Sequence, residues 1–255
     1  MSTPPVILVT AGSAGLGAAA AKVFATAGYK VVINYSSNES RASDLILELE
    51  KLSPLQSTND NTKNFLAIKA DLSKKSEIAN LVSDVLGGMK RLDVLFSNGG
   101  WTVVTKFSDL DDNVDEDMWD RCWNMNVKSH LWLFHAAKEH LEKSEGCFIT
   151  TASLAGVKPS GSSIAYSVTK AAQIHLVKTL ASISGPKIRV NSVSPGLLLT
   201  EWGLRFPQET QDAYRARTKL NRFATVEDVA EQVLCFAKSK SVTGSNAVID
   251  AGFSL

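Results

Sequence analysis

Residues 6–17 read VILVTAGSAGLG, and an alanine-rich segment over residues 14–27 continues from them. The apolar run predicts a buried strand, the glycines predict a tight turn and the alanines predict a helix. In such a turn, the backbone N–H groups at the N-terminus of the helix are free to bind a pyrophosphate. The positive end of the helix dipole favours an anion at the same place. Glycine is needed because a Cβ would collide with the phosphates or with the adjacent strand. The stretch therefore predicts a dinucleotide-binding turn, with an ordinary tight turn as the alternative.

The same alternation of strand and helix runs through the rest of the chain. Short β-branched runs predict strands over residues 6–10, 31–34, 65–69, 92–96, 147–151, 188–193 and 247–250. Amphipathic segments predict helices over residues 14–27, 40–52, 75–86, 116–141, 163–182 and 226–237. This alternation predicts an α/β fold, a Rossmann-like doubly wound parallel sheet of about seven strands with helices on both faces. A length of 255 residues fits a single domain, residues 1–255.

Two segments interrupt the alternation. Residues 53–64 are polar and turn-rich, which predicts a surface loop without a chemical role. Residues 197–211 follow a Pro-Gly pair and mix leucine, tryptophan and phenylalanine with polar side chains. That mixture predicts a mobile lid over a substrate site rather than a core element.

Composition excludes several classes of protein. The chain is 44% hydrophobic and 21% charged, as in ordinary soluble globular proteins. Its 27 basic and 26 acidic side chains nearly balance, so we expect neither a nucleic acid nor a membrane as partner. Three scattered cysteines (Cys122, Cys147 and Cys235) suit a reducing compartment. No signal peptide or membrane span is predicted, so we expect a cytoplasmic location.

Tyr166 and Lys170 stand four residues apart in the predicted helix over residues 163–182, so their side chains share one face. A free tyrosine has a pKa near 10 and is a poor acid or base at neutral pH. A neighbouring lysine cation is expected to lower that pKa towards the working range. Ser153 follows the predicted strand over residues 147–151, with enough chain before Tyr166 for its hydroxyl to face the phenol. These three residues are candidate proton-transfer groups.

At this point the chain resembles the short-chain dehydrogenase/reductase family over nearly its full length. Residues 10–17 match T-G-x-x-x-G-x-G, except that Ala11 replaces the first glycine. Residues 92–100 (LDVLFSNGG) match the N-N-A-G segment, with Ser97 and Gly99 as departures. Residues 189–196 (RVNSVSPG), followed by Thr200, match R-V-N-x-V-x-P-G-x-x-x-T. Residues 242–252 resemble the family's last strand.

The resemblance implies a catalytic role for four residues, Asn126, Ser153, Tyr166 and Lys170. Tyr166 would give a proton to the substrate carbonyl oxygen or take one from the alcohol, and Ser153 would orient that oxygen. Lys170 would lower the tyrosine pKa and hold the nicotinamide ribose. Asn126 would anchor a water that leads from the lysine to solvent. The nicotinamide would carry the hydride.

The resemblance also implies a set of cofactor contacts. Asp71 matches the adenine-contacting aspartate, Asn98 a ribose contact, and Leu198 with Thr200 the carboxamide clamp. The full predicted set comprises Gly12, Ser13, Gly15, Leu16, Gly17, Tyr35, Ser36, Ser37, Asn38, Asp71, Leu72, Asn98, Gly99, Lys128, Tyr166, Lys170, Pro195, Gly196, Leu198 and Thr200. Ala11 adds one methyl group to the loop, so we expect a local shift with cofactor binding retained.

The end of the second predicted strand indicates which dinucleotide is used. NAD-preferring enzymes of this fold place an acidic side chain there, which binds the ribose 2′-hydroxyl and would repel a 2′-phosphate. Here residues 31–38 read VVINYSSN, with no acid before Glu39. The stretch resembles the N-Y-x-x-S loop of NADP-preferring family members, although Ala14 stands where many of them carry a basic residue. We therefore expect NADP, with NAD as the alternative.

Other side chains are assigned to a substrate pocket or to no ligand at all. Trp101, Leu197, Trp202 and Phe206 predict an apolar substrate pocket, to which Leu199 also belongs.

No metal is expected: the acidic segment 109–117 lacks the glycine and glutamate of a calcium loop. His130, His135 and His140 are five residues apart, so they rotate around a helix instead of sharing a metal. Trp119, Trp123 and Trp132 are interpreted as core or subunit-interface residues.

The sequence thus predicts an NADP-dependent carbonyl reductase or alcohol dehydrogenase for a hydrophobic ketone or secondary alcohol. Two alternatives are a dinucleotide-binding scaffold or sensor, and non-redox chemistry such as dehydration or cyclisation on the same scaffold. The apolar surface of the predicted helices over residues 116–141 and 163–182 indicates a homodimer or homotetramer.

Overall fold

A computed structural model describes residues 3–55 and 63–255 of the chain. Much of the surface loop predicted over residues 53–64 lies outside this described part. The strands are β1 (Val6–Val9), β2 (Lys30–Tyr35), β3 (Phe65–Lys69), β4 (Val94–Ser97), β5 (Cys147–Thr151), β6 (Arg189–Pro195) and β7 (Asn246–Ile249). The helices are α1 (Gly15–Thr26), α2 (Glu39–Leu52), α3 (Lys75–Met89), α4 (Glu116–Trp123), α5 (Ser129–Ser144), α6 (Ile164–Ser184), α7 (Gln208–Arg217) and α8 (Val226–Lys238).

The seven strands form one sheet in the order β3-β2-β1-β4-β5-β6-β7, and every pairing is parallel. The predicted doubly wound sheet is confirmed, and the predicted strand limits lie within two residues of those found. The strand order reverses at β1, which pairs with β2 on one side and with β4 on the other. Ligands of such sheets bind outside the carboxyl ends of the strands at this reversal.

Helices cover both faces of the sheet, and each face has its own apolar core. Along β1 the side chains alternate: Ile7 and Val9 join one core, whereas Val6 and Leu8 join the other. The first core is closed by α1, α2 and α8, and the second by α3, α5 and α6. Burial on both faces explains why the strands are continuous apolar runs.

The prediction of a single helix over residues 116–141 is wrong, because two α-helices lie in this part of the chain. A π-helical turn, Asn124–Lys128, separates α4 from α5. This turn carries Asn126, whose side-chain amide is fully buried and bonded to the main chain of Trp101. Single-turn π segments of this kind concentrate at functional sites.

The lid predicted over residues 197–211 also needs a correction. Its first part is irregular, with one 3₁₀ turn at Gly203–Arg205, but α7 begins inside it at Gln208 and continues to Arg217. Only Gln211 of this helix is buried. The helix therefore lacks the apolar stripe by which a sequence pattern reveals a helix.

Candidate active site

The loop between β1 and α1 passes very close to its neighbours. A Cβ on Gly12 would lie 2.8 Å from both the Val9 carbonyl oxygen and the Ile33 Cβ. A Cβ on Gly17 would overlap the main-chain oxygen of Ala11, and Gly15 has a φ of +50°. The three glycines therefore meet a steric need, as the sequence predicts.

Ala11 occupies the position where the related motif has its first glycine. Its φ is +47°, in the left-handed region that alanine rarely adopts. The Ala11 N–H donates to the Asn34 side-chain oxygen at 3.2 Å, and the Gly12 N–H donates to the Asn34 main-chain oxygen at 2.8 Å. These bonds to β2 hold the loop in its strained conformation, so the extra methyl group is accommodated without loss of the turn.

The N-terminus of α1 fits the phosphates of a dinucleotide. Ala14 occupies the N-cap and makes no side-chain capping bond, and the first turn contains no acidic residue. Its N–H groups and the positive end of the helix dipole are thus left for an anion. Together with the close approach at Gly12 and Gly17, this geometry suits a pyrophosphate.

Ser153, Tyr166 and Lys170 converge at the carboxyl end of β5. Ser153 follows β5, and its hydroxyl accepts the Ala155 N–H at 3.1 Å. The Ser163 hydroxyl caps α6 by accepting the Tyr166 N–H at 3.1 Å, which places the phenol in the first turn of that helix. Ser153 and Tyr166 line one cleft, where the Ser153 hydroxyl lies near enough to the phenol to affect its pKa.

Lys170 lies one helical turn below the phenol and is almost fully buried. Its Nζ lies 5.6 Å from the centroid of the Tyr166 ring. The Nζ donates to the Thr151 carbonyl oxygen at 2.7 Å and to the Gln173 Oε1 at 3.0 Å. Burial lowers the pKa of Lys170 from 10.5 to about 7.

The pKa of Tyr166 differs from the sequence expectation. Burial raises it above its ordinary value of 10.0, while the nearby Ser153 hydroxyl opposes that rise. Lys170, which the sequence predicts to lower this pKa, is not among the groups that shift it in this arrangement. Burial disfavours the phenolate, and the lysine directs its Nζ to main-chain and amide oxygens instead. The phenol is therefore protonated at neutral pH.

Asn126 holds the loop after β4 against the rest of the site. Its Nδ2 donates to the Trp101 carbonyl at 2.9 Å and to the Thr169 Oγ1 at 3.1 Å. Its Oδ1 accepts the Trp101 N–H at 2.8 Å. A Cβ on Gly100 would lie 3.2 Å from the Asn126 Oδ1 and 3.5 Å from the Lys170 Nζ. Gly100 therefore lies against both the amide and the lysine, and the asparagine itself is buried.

A cleft of about 1020 Å³ brings most of the predicted residues together. Ser153 lines it with the predicted cofactor residues Ser13, Gly15, Leu16, Tyr35, Ser36, Ser37, Asn38, Asn98, Tyr166, Lys170, Pro195, Gly196, Leu198 and Thr200. Asp71, Leu72, Gly99 and Lys128 line an adjoining cavity of about 810 Å³. Gly12 and Gly17 are buried beneath the loop and line neither.

Asp71 and Asn98 are fixed by hydrogen bonds. The Asp71 Oδ1 accepts the Ser73 N–H at 2.9 Å and the Ser73 hydroxyl at 2.8 Å, and these bonds lower the pKa of the carboxyl. The Asn98 Oδ1 accepts the Thr151 hydroxyl at 2.8 Å. Both polar side chains are therefore set in place before any ligand arrives.

The four predicted pocket residues Trp101, Leu197, Trp202 and Phe206 all line the cleft, whereas Leu199 does not. Sequence reasoning missed Tyr214 and Phe253, whose rings stack with centroids 4.1 Å apart at the same end. The Tyr214 hydroxyl accepts the Leu197 N–H at 3.0 Å. Nothing in the local pattern near the C-terminus indicates this contact, because it depends on where β7 ends.

The acidic, histidine and tryptophan side chains considered in the sequence lie in different surroundings. In the described part of the chain, no three His, Cys, Asp or Glu side chains converge on a site for a metal ion. His130 is fully buried, and its Nδ1 lies 2.6 Å from the Ser97 hydroxyl. Trp119 packs against a small core cluster and Trp132 against the second core, while Trp123 is 39% exposed.

None of the described helices has the length and apolar character that a bilayer crossing needs.

Comparison with known proteins extends this picture. The family described as Enoyl-(Acyl carrier protein) reductase matches residues 10–254. Sorbose reductase sou1 of Schizosaccharomyces pombe is 31% identical, over 96% of this chain and 94% of its own length. The NAD-dependent glycerol dehydrogenase of Listeria innocua is 27% identical, over 99% and 95%. A short-chain dehydrogenase of Burkholderia cenocepacia, solved in complex with NADP, has a TM-score of 0.85 at 30% identity and 98% coverage of both chains.

These matches span nearly the whole chain, and they agree with the parallel sheet and with the glycine loop at its strand-order reversal. The chain belongs to the short-chain dehydrogenase/reductase family, whose oxidoreductases bind a nicotinamide dinucleotide.

Proposed function

We propose that this protein is an NADP-dependent oxidoreductase that transfers a hydride between nicotinamide and a hydrophobic ketone or secondary alcohol. One observation carries the proposal: Ser153, Tyr166 and Lys170 share a single cleft with the glycine loop and with the apolar residues of the lid. A bound nicotinamide dinucleotide supplies the hydride in the reductive direction and accepts it in the oxidative direction.

Tyr166 is the proton donor to the substrate carbonyl oxygen. Its raised pKa keeps the phenol protonated at neutral pH, which suits an acid in the reductive direction. Ser153 donates a hydrogen bond to the same oxygen and orients it. In the oxidative direction, the phenolate takes the proton from the alcohol.

Lys170 returns a proton to Tyr166 and binds the cofactor ribose. Its pKa of about 7 makes both protonation states accessible at neutral pH, which a proton carrier requires. Asn126 lies behind this lysine and anchors the water route from it to solvent. Because its amide also fixes the main chain of Trp101, it couples the proton route to the wall of the substrate pocket.

The substrate end of the cleft favours an apolar ketone. Trp101, Leu197, Trp202 and Phe206 supply aromatic and aliphatic walls, and residues 197–211 form the lid. The cofactor end favours NADP, because Ser36, Ser37 and Asn38 offer neutral hydrogen-bond donors where NAD-preferring proteins carry an acid.

The deciding experiment mixes the purified protein with NADPH or NADH and a panel of ketones, and follows the loss of reduced cofactor by absorbance. The panel pairs hydrophobic ketones with sorbose, a polar ketone, and includes a 3-oxoacyl thioester because of the matched family. Faster turnover of hydrophobic ketones with NADPH supports the proposal. Tight cofactor binding without turnover supports a scaffold instead, and conversion of substrate without cofactor oxidation supports non-redox chemistry.

A second measurement tests the position of the 2′-phosphate. Ser37→Asp places a carboxylate beside that position, so the ratio of kcat/KM for NADPH over NADH should fall. A wild-type preference for NADH would contradict the assignment of NADP.

We also infer a homodimer or homotetramer. Trp123, Leu131 and Val168 are 39%, 41% and 43% exposed on α4, α5 and α6. Exposed large apolar side chains on three helices favour a subunit interface. A monomeric mass in solution at micromolar concentration would contradict this inference.

A further inference from the structure

An ion pair crosses the cleft at the cofactor end. The Arg41 Nη1 lies 3.2 Å from the Glu201 Oε1 and 3.3 Å from its Oε2. Arg41 belongs to the first turn of α2, whereas Glu201 belongs to the lid and directly follows Thr200. The two side chains come from distant parts of the sequence and meet only across this opening.

Both ends of the ion pair are held in place. The Asn38 side chain caps α2 by accepting the Arg41 N–H at 2.9 Å, which fixes the start of the helix. On the lid side, a Cβ on Gly15 would lie only 3.2 Å from the Thr200 Cγ2. The lid therefore rests on the glycine loop where Glu201 begins, so the ion pair links two anchored segments.

The pair lies beside the proposed 2′-phosphate position. Arg41 and Glu201 line the same cleft as Ser36, Ser37 and Asn38. The latter three are neutral, whereas Arg41 is a cation, and in the described part of the chain its one ion pair is with Glu201. A phosphate at this position would attract the guanidinium and would be repelled by the carboxylate that holds it.

We propose that Glu201 sets how strongly the protein discriminates between NADPH and NADH, by competing with the cofactor 2′-phosphate for the Arg41 guanidinium. The proposal rests on the proposed function, since it concerns the cofactor assigned there. NADPH must displace the Glu201 carboxylate to gain Arg41, whereas NADH leaves the ion pair in place. Glu201 is thus a specificity-determining residue that weakens a preference for NADPH.

The exposure of the pair allows this exchange. The side chains of Arg41 and Glu201 are 40% and 70% exposed, so water can solvate the carboxylate when the guanidinium leaves it. An exposed ion pair contributes little stability, and its opening costs correspondingly little. A phosphate, with more than one negative charge and three acceptor oxygens, is the stronger partner for an arginine.

The test measures dissociation constants of NADPH and NADH by cofactor fluorescence, so that it does not depend on turnover. The proteins compared are the wild type, Glu201→Gln, Arg41→Gln and the double variant, with Glu209→Gln as the matched control. Glu209 is an exposed acid on α7 that does not line the cleft. Its replacement changes the net charge by the same amount as Glu201→Gln.

Glu201→Gln is expected to raise the ratio of the NADH to the NADPH dissociation constant by about fivefold, the effect of one exposed charge interaction. Arg41→Gln should lower the ratio, and Glu201→Gln should have a smaller effect in that background than alone. The control should leave the ratio within about twofold of wild type.

Three results would overturn the proposal. They are an unchanged ratio in Glu201→Gln, an equal change in Glu209→Gln, and an effect of Glu201→Gln that is the same with and without Arg41. A wild-type protein that binds NADH more tightly would contradict the cofactor assigned under the proposed function. The shift caused by Glu201→Gln would then still support the competition proposed here.

Discussion

The Nζ of Lys170 lies 2.7 Å from the main-chain carbonyl oxygen of Thr151. The Gln173 side chain completes this arrangement, because its Oε1 accepts from the Nζ and its Nε2 donates to the same Thr151 oxygen at 3.1 Å. No carboxylate forms an ion pair with Lys170 within the described ranges. The ammonium therefore has oxygen partners but no counter-charge, and burial lowers its pKa to about 7.

This burial makes stability depend on pH. The pKa of Lys170 is about 7 in the folded protein and 10.5 without burial. Between these values the unfolded chain binds more protons than the folded one, so stability rises with pH across this window. Below about pH 7, folding buries a full positive charge. Lys170→Met removes the charge. The free energy of unfolding of this variant relative to that of the wild type should therefore be highest near pH 6 and decline towards about pH 10.

Denaturant unfolding of both proteins across this pH range measures the difference. Lys178→Met is the control, since Lys178 lies on the exposed side of the same helix. A stability difference between Lys170→Met and wild type that stays constant with pH would contradict the burial of an uncompensated lysine.

Tyr166→Phe should abolish turnover and leave cofactor binding intact. The change removes only the phenolic oxygen, the atom to which the proposed function assigns the proton transfer. Loss of a positioned proton donor costs roughly 10²–10⁴ in kcat. Steady-state kinetics and the NADPH dissociation constant measure the two effects separately.

The matched control is Tyr29→Phe, because Tyr29 packs edge-on against Phe24, away from the cleft. Residual activity above a few per cent of wild type in Tyr166→Phe would show that another group donates the proton.

Much of the fold could be predicted because it depends on local patterns. Apolar β-branched runs located the strands, and the glycine loop located the turn between the first strand and the first helix. The division between α4 and α5 could not be predicted from periodicity. The π-helical turn at this division carries Asn126, whose side chain bonds to the main chain of Trp101, and helical spacing carries no information on such tertiary contacts.

The candidate site likewise has features that the sequence predicts and features that it does not. Ser153, Tyr166 and Lys170 could be placed together because β5 and α6 are adjacent in the chain. Contacts between distant segments, such as Arg41 with Glu201 and Tyr214 with Phe253, could not be predicted. The direction of the Tyr166 pKa also escaped prediction, since it depends on how deeply the folded protein buries the phenol.

Ala11→Gly should stabilise the protein. A left-handed conformation costs a residue with a Cβ about 1–2 kcal/mol, while glycine loses more chain entropy on folding, by about 0.4–1 kcal/mol. With a φ of +47° at Ala11, we therefore expect the free energy of unfolding to rise by about 0.5–1 kcal/mol.

Ala18→Gly provides the opposite case, because Ala18 lies inside α1 in ordinary helical conformation. Glycine there should lower stability by about 1 kcal/mol. Denaturant unfolding of both variants tests the argument. If both substitutions destabilise the protein equally, the left-handed conformation at Ala11 carries no strain.

Phe253→Ala should weaken substrate binding while cofactor binding is retained. The Phe253 ring lines the cleft and stacks on Tyr214, whose hydroxyl accepts the Leu197 N–H at the start of segment 197–211. Removing the ring takes apolar surface from the proposed substrate end and loosens the support of residues 197–211. A partial loss of aromatic burial, about 1–1.5 kcal/mol, corresponds to a rise in KM of roughly tenfold for a hydrophobic ketone.

Kinetics at saturating NADPH give the KM, and fluorescence gives the cofactor dissociation constant, which should stay within about twofold of wild type. Phe253→Tyr is the matched variant, because it keeps the ring and its stacking on Tyr214 and should restore the KM. An unchanged KM in Phe253→Ala would place the substrate away from this aromatic pair. A parallel loss of cofactor affinity would instead assign Phe253 to the support of the whole cleft.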